Sequence, residues 1–289
     1  MTQKPLLGVI GGSGLYHFSG LEEVSTVEID TPFGKPSSPV VMGTLEGKPI
    51  AFLARHGLGH FISPTEVNYR ANIYALKALG VRYVVGVSAC GSLRHDYQPG
   101  HFVIPDQVID FTRSRKSSFF EDGMVAHISA ADPYCPDLSA RLVQACTSAG
   151  APAHKGGTFI TIEGPRFSTR AESHLFRAWG ISIIGMTTSP EVFLAREAEL
   201  CYASLAHITD YDVWHLSEEP VNVEMVVRTL VQNTEAALNI IRSLVASLEI
   251  PPACDCDQAL AKAMITNPAC IPPETRQNLA LLVDKYLAP

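Results

Sequence analysis

The stretch EVNYRANIYALKALGVRYVVGVSACGS, residues 66–92, contains a helix followed directly by a strand. Its first half, Glu66–Leu79, has helical periodicity and stops at Gly80, a residue type that commonly ends helices. The small or apolar positions at helical spacing are Ala71, Tyr74, Ala75 and Ala78. The second half predicts a β-branched strand at Val81–Val87 and a small-residue loop at Ser88–Ser92. This helix-to-strand unit is typical of a parallel α/β sheet.

The same alternation of strands and helices extends outward in both directions. Further strands are predicted at Leu6–Ile10, Thr26–Asp30, Val40–Leu45, Pro49–Ala54, His101–Ile104, Thr158–Ile162, Ile181–Met186 and Cys201–Ile208. Further helices are predicted at Leu138–Ala149, Arg170–Trp179, Pro190–Glu199 and Val221–Leu248, with two short helices in Gln258–Leu287. We expect an α/β fold with a mixed, mostly parallel sheet flanked by helices, built by one domain over residues 1–250. Residues 251–289 are expected to form a helical C-terminal extension.

Composition excludes several classes of function. The 289-residue chain carries 29 acidic and 22 basic residues, a net charge of −7, and no Lys/Arg cluster. Nucleic-acid binding needs a basic face that neutralises phosphates, so no nucleic-acid partner is expected. No apolar run approaches the roughly 18 residues of a membrane span, and MTQKPLLGVIGG lacks the features of a signal peptide. We therefore expect a cytoplasmic protein with no membrane partner.

The seven cysteines are scattered along the chain, as in a reduced cytoplasmic protein. Cys254 and Cys256 flank a single residue, but no second pair lies nearby in the sequence. Zinc sites usually need such a pair, so we interpret these two as ordinary thiols. His56 and His60 are four residues apart, but the glycines between them disfavour the helix that would align both on one metal. No metal site is predicted.

Five predicted loops follow strands, at the places where open α/β sheets collect ligands. These loops come after Ile10, Ala54, Val87, Met186 and Ile208. The first four offer a guanidinium fork, an imidazole donor, hydroxyls and backbone amides, a set that suits an anion. Together they predict a site for inorganic phosphate formed by Ser13, Arg55, His56, Ser88, Ala89 and Thr187.

Each of these groups also fits a simpler role when it is taken alone. The glycine-rich loop Gly11–Gly14 fits an ordinary turn, and the Arg55–His56 pair fits a surface salt bridge. A dinucleotide fingerprint is disfavoured because His17 stands where the third glycine belongs, and no Gly-Lys-Ser/Thr follows as in a P-loop.

The loop after Ile208 carries two carboxylates, Asp210 and Asp212, that suit a purine base. One Asp in its acid form donates to the ring nitrogen N7, and an ionised Asp accepts from the exocyclic amino group. Burial and a neighbouring carboxylate both favour the acid form that donation requires. Phe167 fits a ring that stacks on the base, and equally an aromatic residue of the core. Asp at strand ends also commonly forms turns, so that alternative stays open.

Eight stretches together resemble the methylthioadenosine phosphorylases, within the trimeric purine-nucleoside phosphorylase family. They run in family order between residues 6 and 248 and read IGGSGL (10–15), DTPFGKPS (30–37), LARHG (53–57), VNYRANIYALK (67–77), SACGSL (88–93), TIEGPRFSTRAE (161–172), MTTSPEV (186–192) and TDYDVW (209–214). The resemblance implies a phosphorylase/hydrolase-like fold and a pentosyltransferase that cleaves 5′-methylthioadenosine with phosphate. The implied products are adenine and 5-methylthioribose-1-phosphate. Phosphate is the co-substrate, and no cofactor is implied.

The resemblance implies a role for each site residue. The six residues of the anion set would bind phosphate, with Ser at 13 and 88 in place of the family's more usual Thr. Asp210 would donate to N7 and Asp212 would hold the amino group. Phe167 would face the purine, and Met186 would lie beside the purine and ribose.

The resemblance also implies an apolar slot for the 5′-methylthio group, lined by Val223 and Val226. His127 would reach that slot in the neighbouring subunit of a homotrimer. This residue lies in Phe111–Asp137, a stretch with little periodicity, and aperiodic segments of such length are usually functional or interfacial.

Alternative functions remain. Relatives acting on 6-oxopurines typically carry Asn at the first Asp, so Asp210 with Asp212 favours a 6-amino purine over a phosphorylase of 6-oxopurine nucleosides or methylthioinosine. A hydrolytic nucleosidase and a non-catalytic purine-binding protein are further alternatives. A nicotinamide oxidoreductase is the weakest.

Overall fold

The structure, a computed structural model, describes residues 4–12, 20–215 and 223–287, and at positions 223, 225, 226, 228 and 230–233 it describes only the backbone. The strands within this part of the chain are β1 (Leu7–Gly11), β2 (Glu22–Val27), β3 (Val40–Leu45), β4 (Lys48–Ala54), β5 (Tyr83–Ser92), β6 (Phe102–Ile104), β7 (Gln107–Phe111), β8 (Ala153–Lys155), β9 (Thr158–Ile162), β10 (Ile183–Gly185) and β11 (Cys201–Asp210).

The helices of the same part are α1 (Tyr69–Ala78), α2 (Pro136–Ser148), α3 (Arg170–Ala178), α4 (Thr188–Glu197), α5 (Val223–Ser247) and α6 (Pro273–Leu287), with short 3₁₀ turns at Cys256–Gln258 and Pro268–Cys270. Side chains at the helix starts explain several of these boundaries. Asn68 accepts the Ala71 N–H ahead of α1. Thr169 and Glu172 form a reciprocal capping box ahead of α3.

One mixed sheet holds these strands in the order β2-β3-β4-β1-β5-β10-β9-β7, while β11 pairs with β5 and β6, and β6 pairs with β8. Parallel pairing joins β4 to β1, β1 to β5, and β5 to β11. The register places Cys201 opposite Tyr83 and His207 opposite Ala89. The carboxyl ends of these four central strands therefore meet at one edge of the sheet, as the mostly parallel fold predicts.

Helices cover both faces of the sheet. On one face, α2 and α5 bury Leu142 and Leu244 in a cluster with sheet residues such as Leu205. On the other face, α1, α4 and α6 pack against a second cluster, the one that includes Val84 and Leu282. Burial of this kind contributes roughly 25 cal/mol for each Å² of apolar surface removed from water. None of the helices in the described ranges is long and apolar enough to cross a membrane.

The C-terminal residues also pack against the second cluster. Leu260 lies between the two short turns and Ile271 just before α6, and both are buried in the same cluster as residues of α1. The division at residue 250 stays a prediction, and the tail shares the core of the preceding residues.

Some predicted elements differ from the structure. The predicted loop Ser88–Ser92 is a continuation of β5, because Gly91 and Ser92 pair with β10. Strand β2 begins at Glu22, four residues before the predicted Thr26–Asp30. The prediction missed this start because the residues of β2 are mostly exposed and have no apolar pattern. β7 and β8 were not predicted, and Gln258–Leu287 holds one α-helix where two were expected.

Candidate active site

A cavity of about 410 Å³ opens where β1, β4, β5 and β11 end. The predicted site residues in its lining are Arg55, His56, Ser88, Ala89, Phe167, Met186, Thr187, Asp210 and Asp212. The cavity therefore lies at the carboxyl ends of parallel strands, the place where ligands collect in open α/β sheets. Ser13 lies outside the described residues.

Arg55 follows β4 and is held by a buried ion pair. Its Nε and Nη2 donate to the two carboxylate oxygens of Glu191 at 2.8 and 2.9 Å. Nη1 donates to the Val87 carbonyl, and Nη2 also donates to the Ile10 carbonyl. Burial alone lowers the pKa of Arg55, but the charge and hydrogen bonds of Glu191 outweigh it and raise the pKa. Four of its N–H groups are thus committed to the protein, which leaves one on Nη1 for an anion.

His56 presents a hydrogen-bond acceptor, where the sequence interpretation expected a donor. Its Nδ1 lies 2.9 Å from the carbonyl oxygen of Ile62, an atom that only accepts, so Nδ1 carries the proton. Burial first, and the charge of Arg55 second, lower the pKa of His56 to about 4. The ring is therefore neutral near pH 7, with a lone pair on Nε2. Such a nitrogen accepts the proton of a hydrogen phosphate.

Two predicted hydroxyls lie side by side in the cavity wall. Ser88 Oγ, on β5, is 3.1 Å from Thr187 Oγ1, which precedes α4. Both residues are buried, so their hydroxyls have little contact with bulk water. Ala89 is the next residue of β5 and also lines the cavity. The pair suits an anion that accepts from both hydroxyls.

Asp210, the last residue of β11, accepts hydrogen bonds at both carboxylate oxygens. Thr209 Oγ1 donates to Oδ2 at 2.7 Å, and the Asp212 N–H donates to Oδ1 at 2.7 Å. The Thr209 hydroxyl has a second acceptor, the Cys90 carbonyl at 3.3 Å, so it can turn away when Oδ2 carries a proton. Gly91 permits this packing, because a Cβ there would lie 2.9 Å from Asp210 Oδ1.

Asp212 lies in a left-handed turn just after β11, with φ at 53°, a conformation that Asp tolerates better than most residues. Ser168 Oγ donates to its Oδ1 at 2.5 Å. Its Oδ2 is buried and has no hydrogen-bond partner among the described residues. An unpaired buried carboxylate oxygen is costly, so a ligand that donates a hydrogen bond there is strongly favoured.

The remaining wall is apolar. Phe167 and Met186 are half-buried and face the cavity with Ile184. Arg115 fixes the backbone at Met186, donating from Nη1 to its carbonyl at 2.7 Å and to the Ser189 carbonyl at 2.7 Å. Arg115 comes from the aperiodic stretch, so that segment holds one wall of the cavity.

Comparison of the sequence with known protein families identifies the family of this chain. Residues 6–246 match the phosphorylase superfamily. The chain belongs to this superfamily.

Several known proteins are similar to this chain over most of its length. The chain is 52% identical over 285 residues to an S-methyl-5′-thioadenosine phosphorylase of Geobacter sulfurreducens, covering 98% of this chain and 100% of that protein. A crystal structure of a methylthioadenosine phosphorylase from an Antarctic soil metagenomic library superposes with a TM-score of 0.92 at 47% identity, covering 96% and 99% of the two chains. A Schistosoma mansoni methylthioadenosine phosphorylase in complex with adenine gives a TM-score of 0.81 at 39% identity, covering 84% and 91%. The phosphorylase-type fold predicted from the sequence is confirmed.

Besides Ser13, three predicted residues of this phosphorylase-superfamily chain are not seen at the cavity. The side chains of Val223 and Val226 lie outside the described part, although Val227, on the same helix, lines the cavity mouth. His127 is exposed and does not line the cavity of its own chain. Its N–H donates to the Ala263 carbonyl, which places it beside the C-terminal tail. Its assignment to a neighbouring subunit stays a prediction.

Sequence reasoning missed several residues that hold the phosphorylase-superfamily site in place. Glu191 and Tyr202 form a buried chain with Arg55, in which the Tyr202 hydroxyl donates to Glu191 Oε1 at 2.8 Å. Ser168 orients Asp212, and Thr209 orients Asp210. Glu191 could have been sought from the sequence only by a general rule, that a buried arginine needs a carboxylate partner.

Proposed function

We propose that the chain catalyses the phosphorolysis of S-methyl-5′-thioadenosine to adenine and 5-methylthioribose-1-phosphate. The observation that carries this proposal is Asp212 Oδ2, a buried carboxylate oxygen without a partner among the described residues, in a cavity that also holds the Ser88–Thr187 hydroxyl pair. One group calls for a donor such as an amino group, and the other suits an anion. Relatives named S-methyl-5′-thioadenosine phosphorylase support the same substrate.

At the phosphate end, the charge of Arg55 is already balanced by Glu191. Binding therefore depends on neutral donors: the Ser88 and Thr187 hydroxyls, the remaining Arg55 N–H, and Ser13 and Ala89. Hydrogen phosphate donates its own proton to His56 Nε2. The bound anion then faces the positive charge that develops on the ribose, a preorganised arrangement that stabilises the transition state.

At the base end, Asp212 accepts from the 6-amino group and Asp210 acts at N7. The C1′–N9 bond breaks with its electron pair moving into the purine, and Asp210 supplies a proton to N7 as that negative charge builds. A phosphate oxygen forms the new bond to C1′. The proton that hydrogen phosphate gives to His56 passes on to solvent, and Asp210 regains its proton from solvent. Over one turnover phosphate loses one proton and adenine gains one, so the reaction balances without a cofactor. Proton donation of this kind raises the rate by about 10²–10⁴-fold.

The base edge also decides between the candidate substrates. A 6-oxopurine would place a carbonyl oxygen against Asp212 Oδ2, so two acceptors would face each other. A site built to hydrogen-bond one edge rejects the wrong edge strongly. Phe167 stacks on the purine and Met186 contacts purine and ribose. Val223, Val226 and the neighbouring Val227 line the 5′ end.

The assembly that we propose is a cytoplasmic homotrimer. His127 projects from the exposed edge beside the tail and reaches the 5′ end of the site in a neighbouring subunit. The partners are then a nucleoside, inorganic phosphate and two further copies of the chain.

A substrate panel tests the proposal. Base release is measured in phosphate buffer from methylthioadenosine, adenosine and methylthioinosine. We expect kcat/KM for methylthioadenosine to exceed that for methylthioinosine by at least about 100-fold, because only the former donates to Asp212. Equal values for the two would contradict the assignment of Asp212 to the amino group.

A further inference from the structure

Four cysteine sulfurs converge at the edge of the sheet opposite the cavity. Cys135, Cys201, Cys254 and Cys256 hold their Sγ atoms within 4.8 Å of one another, and those of Cys201 and Cys254 are 3.3 Å apart. All but Cys254 are buried, and Cys254 is half-buried. Cys201 begins β11, and Asp210 ends it, so about 30 Å of strand separates this cluster from the base-binding carboxylates.

Three distant segments of the chain supply the four sulfurs. Cys135 caps α2, Cys201 starts β11, and Cys254 and Cys256 come from the tail beside a 3₁₀ turn. The Cys135 N–H donates to the Tyr202 carbonyl at 2.8 Å, which fixes the first two segments against each other. The sequence showed no second cysteine pair beside Cys254 and Cys256, and for that reason they were interpreted as ordinary thiols. The fold brings Cys135 and Cys201 next to them.

The surroundings of Cys135 favour a thiolate, the form in which cysteine binds metals. Its Sγ accepts the Leu138 N–H at 3.4 Å in the first turn of α2, a 13-residue helix whose N-terminus favours negative charge.

We propose that these four cysteines bind one structural zinc ion. Zinc bound by four cysteines is tetrahedral with Zn–S distances near 2.3 Å, so its sulfur–sulfur edges are about 3.8 Å. The 3.3 Å separation of the Cys201 and Cys254 sulfurs and the 4.8 Å upper limit for all four lie within about 1 Å of that edge. Zn²⁺ replaces the thiol protons, which pass to solvent. The ion links the C-terminal tail to α2 and β11 and takes no part in catalysis.

Metal analysis of the full-length protein tests this site. The protein is purified under reducing conditions, dialysed against a chelator and analysed for zinc, and cobalt(II) is then substituted to record thiolate charge-transfer bands. We expect about one zinc per chain and the absorption of a tetrahedral cobalt–thiolate site. Reduced protein that holds no zinc and gives no cobalt–thiolate bands would overturn the proposal.

Two serine variants separate the cluster from a general cysteine effect. Cys256→Ser should lower the zinc affinity by at least about tenfold, and with it the zinc retained after dialysis, because one ligand is lost. Cys270→Ser changes an exposed cysteine outside the cluster and should keep the zinc content of the parent. Equal zinc content in both variants would contradict the site. Disulfides in place of a metal would also contradict the site. In that case the parent protein purified without reductant would hold no metal, and its mass would be lower by two hydrogens for each disulfide. Adenine release reports folding in each case.

Discussion

Arg55 and Glu191 form a two-point ion pair inside the protein, with oxygen–nitrogen distances of 2.8 and 2.9 Å and side chains that are 1% and 0% exposed. The pair joins the end of β4 to the first turn of α4. Because Glu191 balances the charge of Arg55, the anion site has little free positive charge of its own. Its selectivity then rests on hydrogen-bond geometry, which suits one small phosphate.

Glu191→Gln should destabilise the protein strongly. The change leaves the Arg55 charge buried without a counterion, and breaking a buried pair in this way costs about 3–5 kcal/mol. Phosphate should then raise the melting temperature more in the variant than in the parent, because the anion replaces the lost charge. Glu172→Gln serves as the control, since it breaks only a solvent-exposed pair with Arg166, and the Gln amide oxygen still accepts the Thr169 N–H. Equal losses of melting temperature in the two variants would contradict this role of Glu191.

Thr187→Val should weaken phosphate binding selectively. The variant keeps the shape of the side chain but loses a hydroxyl beside Ser88, and a hydrogen bond to a charged group is worth about 1.5–3 kcal/mol. The phosphate KM should rise at least about tenfold while the nucleoside KM changes little. Thr188→Val is the matched control, because Thr188 is buried next in the chain but does not line the cavity. A larger effect on the nucleoside KM would move Thr187 to the other end of the site.

How far the sequence could predict this site depends on the distance over which each residue finds its partner. Arg55 and Asp210 each follow a strand, and the general rule for parallel sheets places both at one edge. Glu191 pairs with Arg55 across 136 positions, and local patterns do not carry that pairing. Cys254 and Cys256 looked isolated for the same reason.

Strand boundaries show a related limit. The small residues of Ser88–Ser92 have the composition of a loop, yet pairing with β10 and β11 extends β5 through them. Tertiary pairing overrides local propensity in such cases. Conversely, Thr158–Ile162 and Val40–Leu45 have strong β-branched patterns, and both match the structure residue for residue.

Asp210→Asn should reduce kcat on methylthioadenosine by about 10²–10⁴-fold, because an amide cannot supply the proton to N7. The side chain is nearly isosteric and keeps a carbonyl oxygen for the Asp212 N–H, while the Thr209 hydroxyl can turn to the Cys90 carbonyl, so the fold should persist. The measurement is kcat and KM at saturating phosphate, with the melting temperature as the control for folding. Activity within a few-fold of the parent would remove Asp210 from the mechanism.

Glu197 makes stability depend on pH. Burial raises the pKa of this carboxyl to about 7, although hydrogen bonds from the Phe119 N–H and the Ser118 hydroxyl oppose the shift. Because the folded pKa lies above the unfolded value, the favourable contribution is complete below about pH 4.5 and is lost as pH rises through 7. The loss amounts to about 3 kcal/mol.

Glu197→Gln should remove this dependence. The amide stays neutral and offers one acceptor and one donor to the same two partners. The difference in melting temperature between pH 5 and pH 8 should therefore shrink in the variant. Glu46→Gln, at an exposed turn, should leave the difference as it is in the parent. An unchanged pH difference in Glu197→Gln would contradict the raised pKa.

The most direct test of phosphorolysis is adenine release from methylthioadenosine as a function of phosphate concentration, with the sugar product identified by phosphorus NMR. The site built around Arg55, Ser88 and Thr187 predicts a saturable dependence on phosphate and one 5-methylthioribose-1-phosphate for each adenine. Release at the same rate in phosphate-free buffer, with free 5-methylthioribose as the product, would contradict it and identify a nucleosidase.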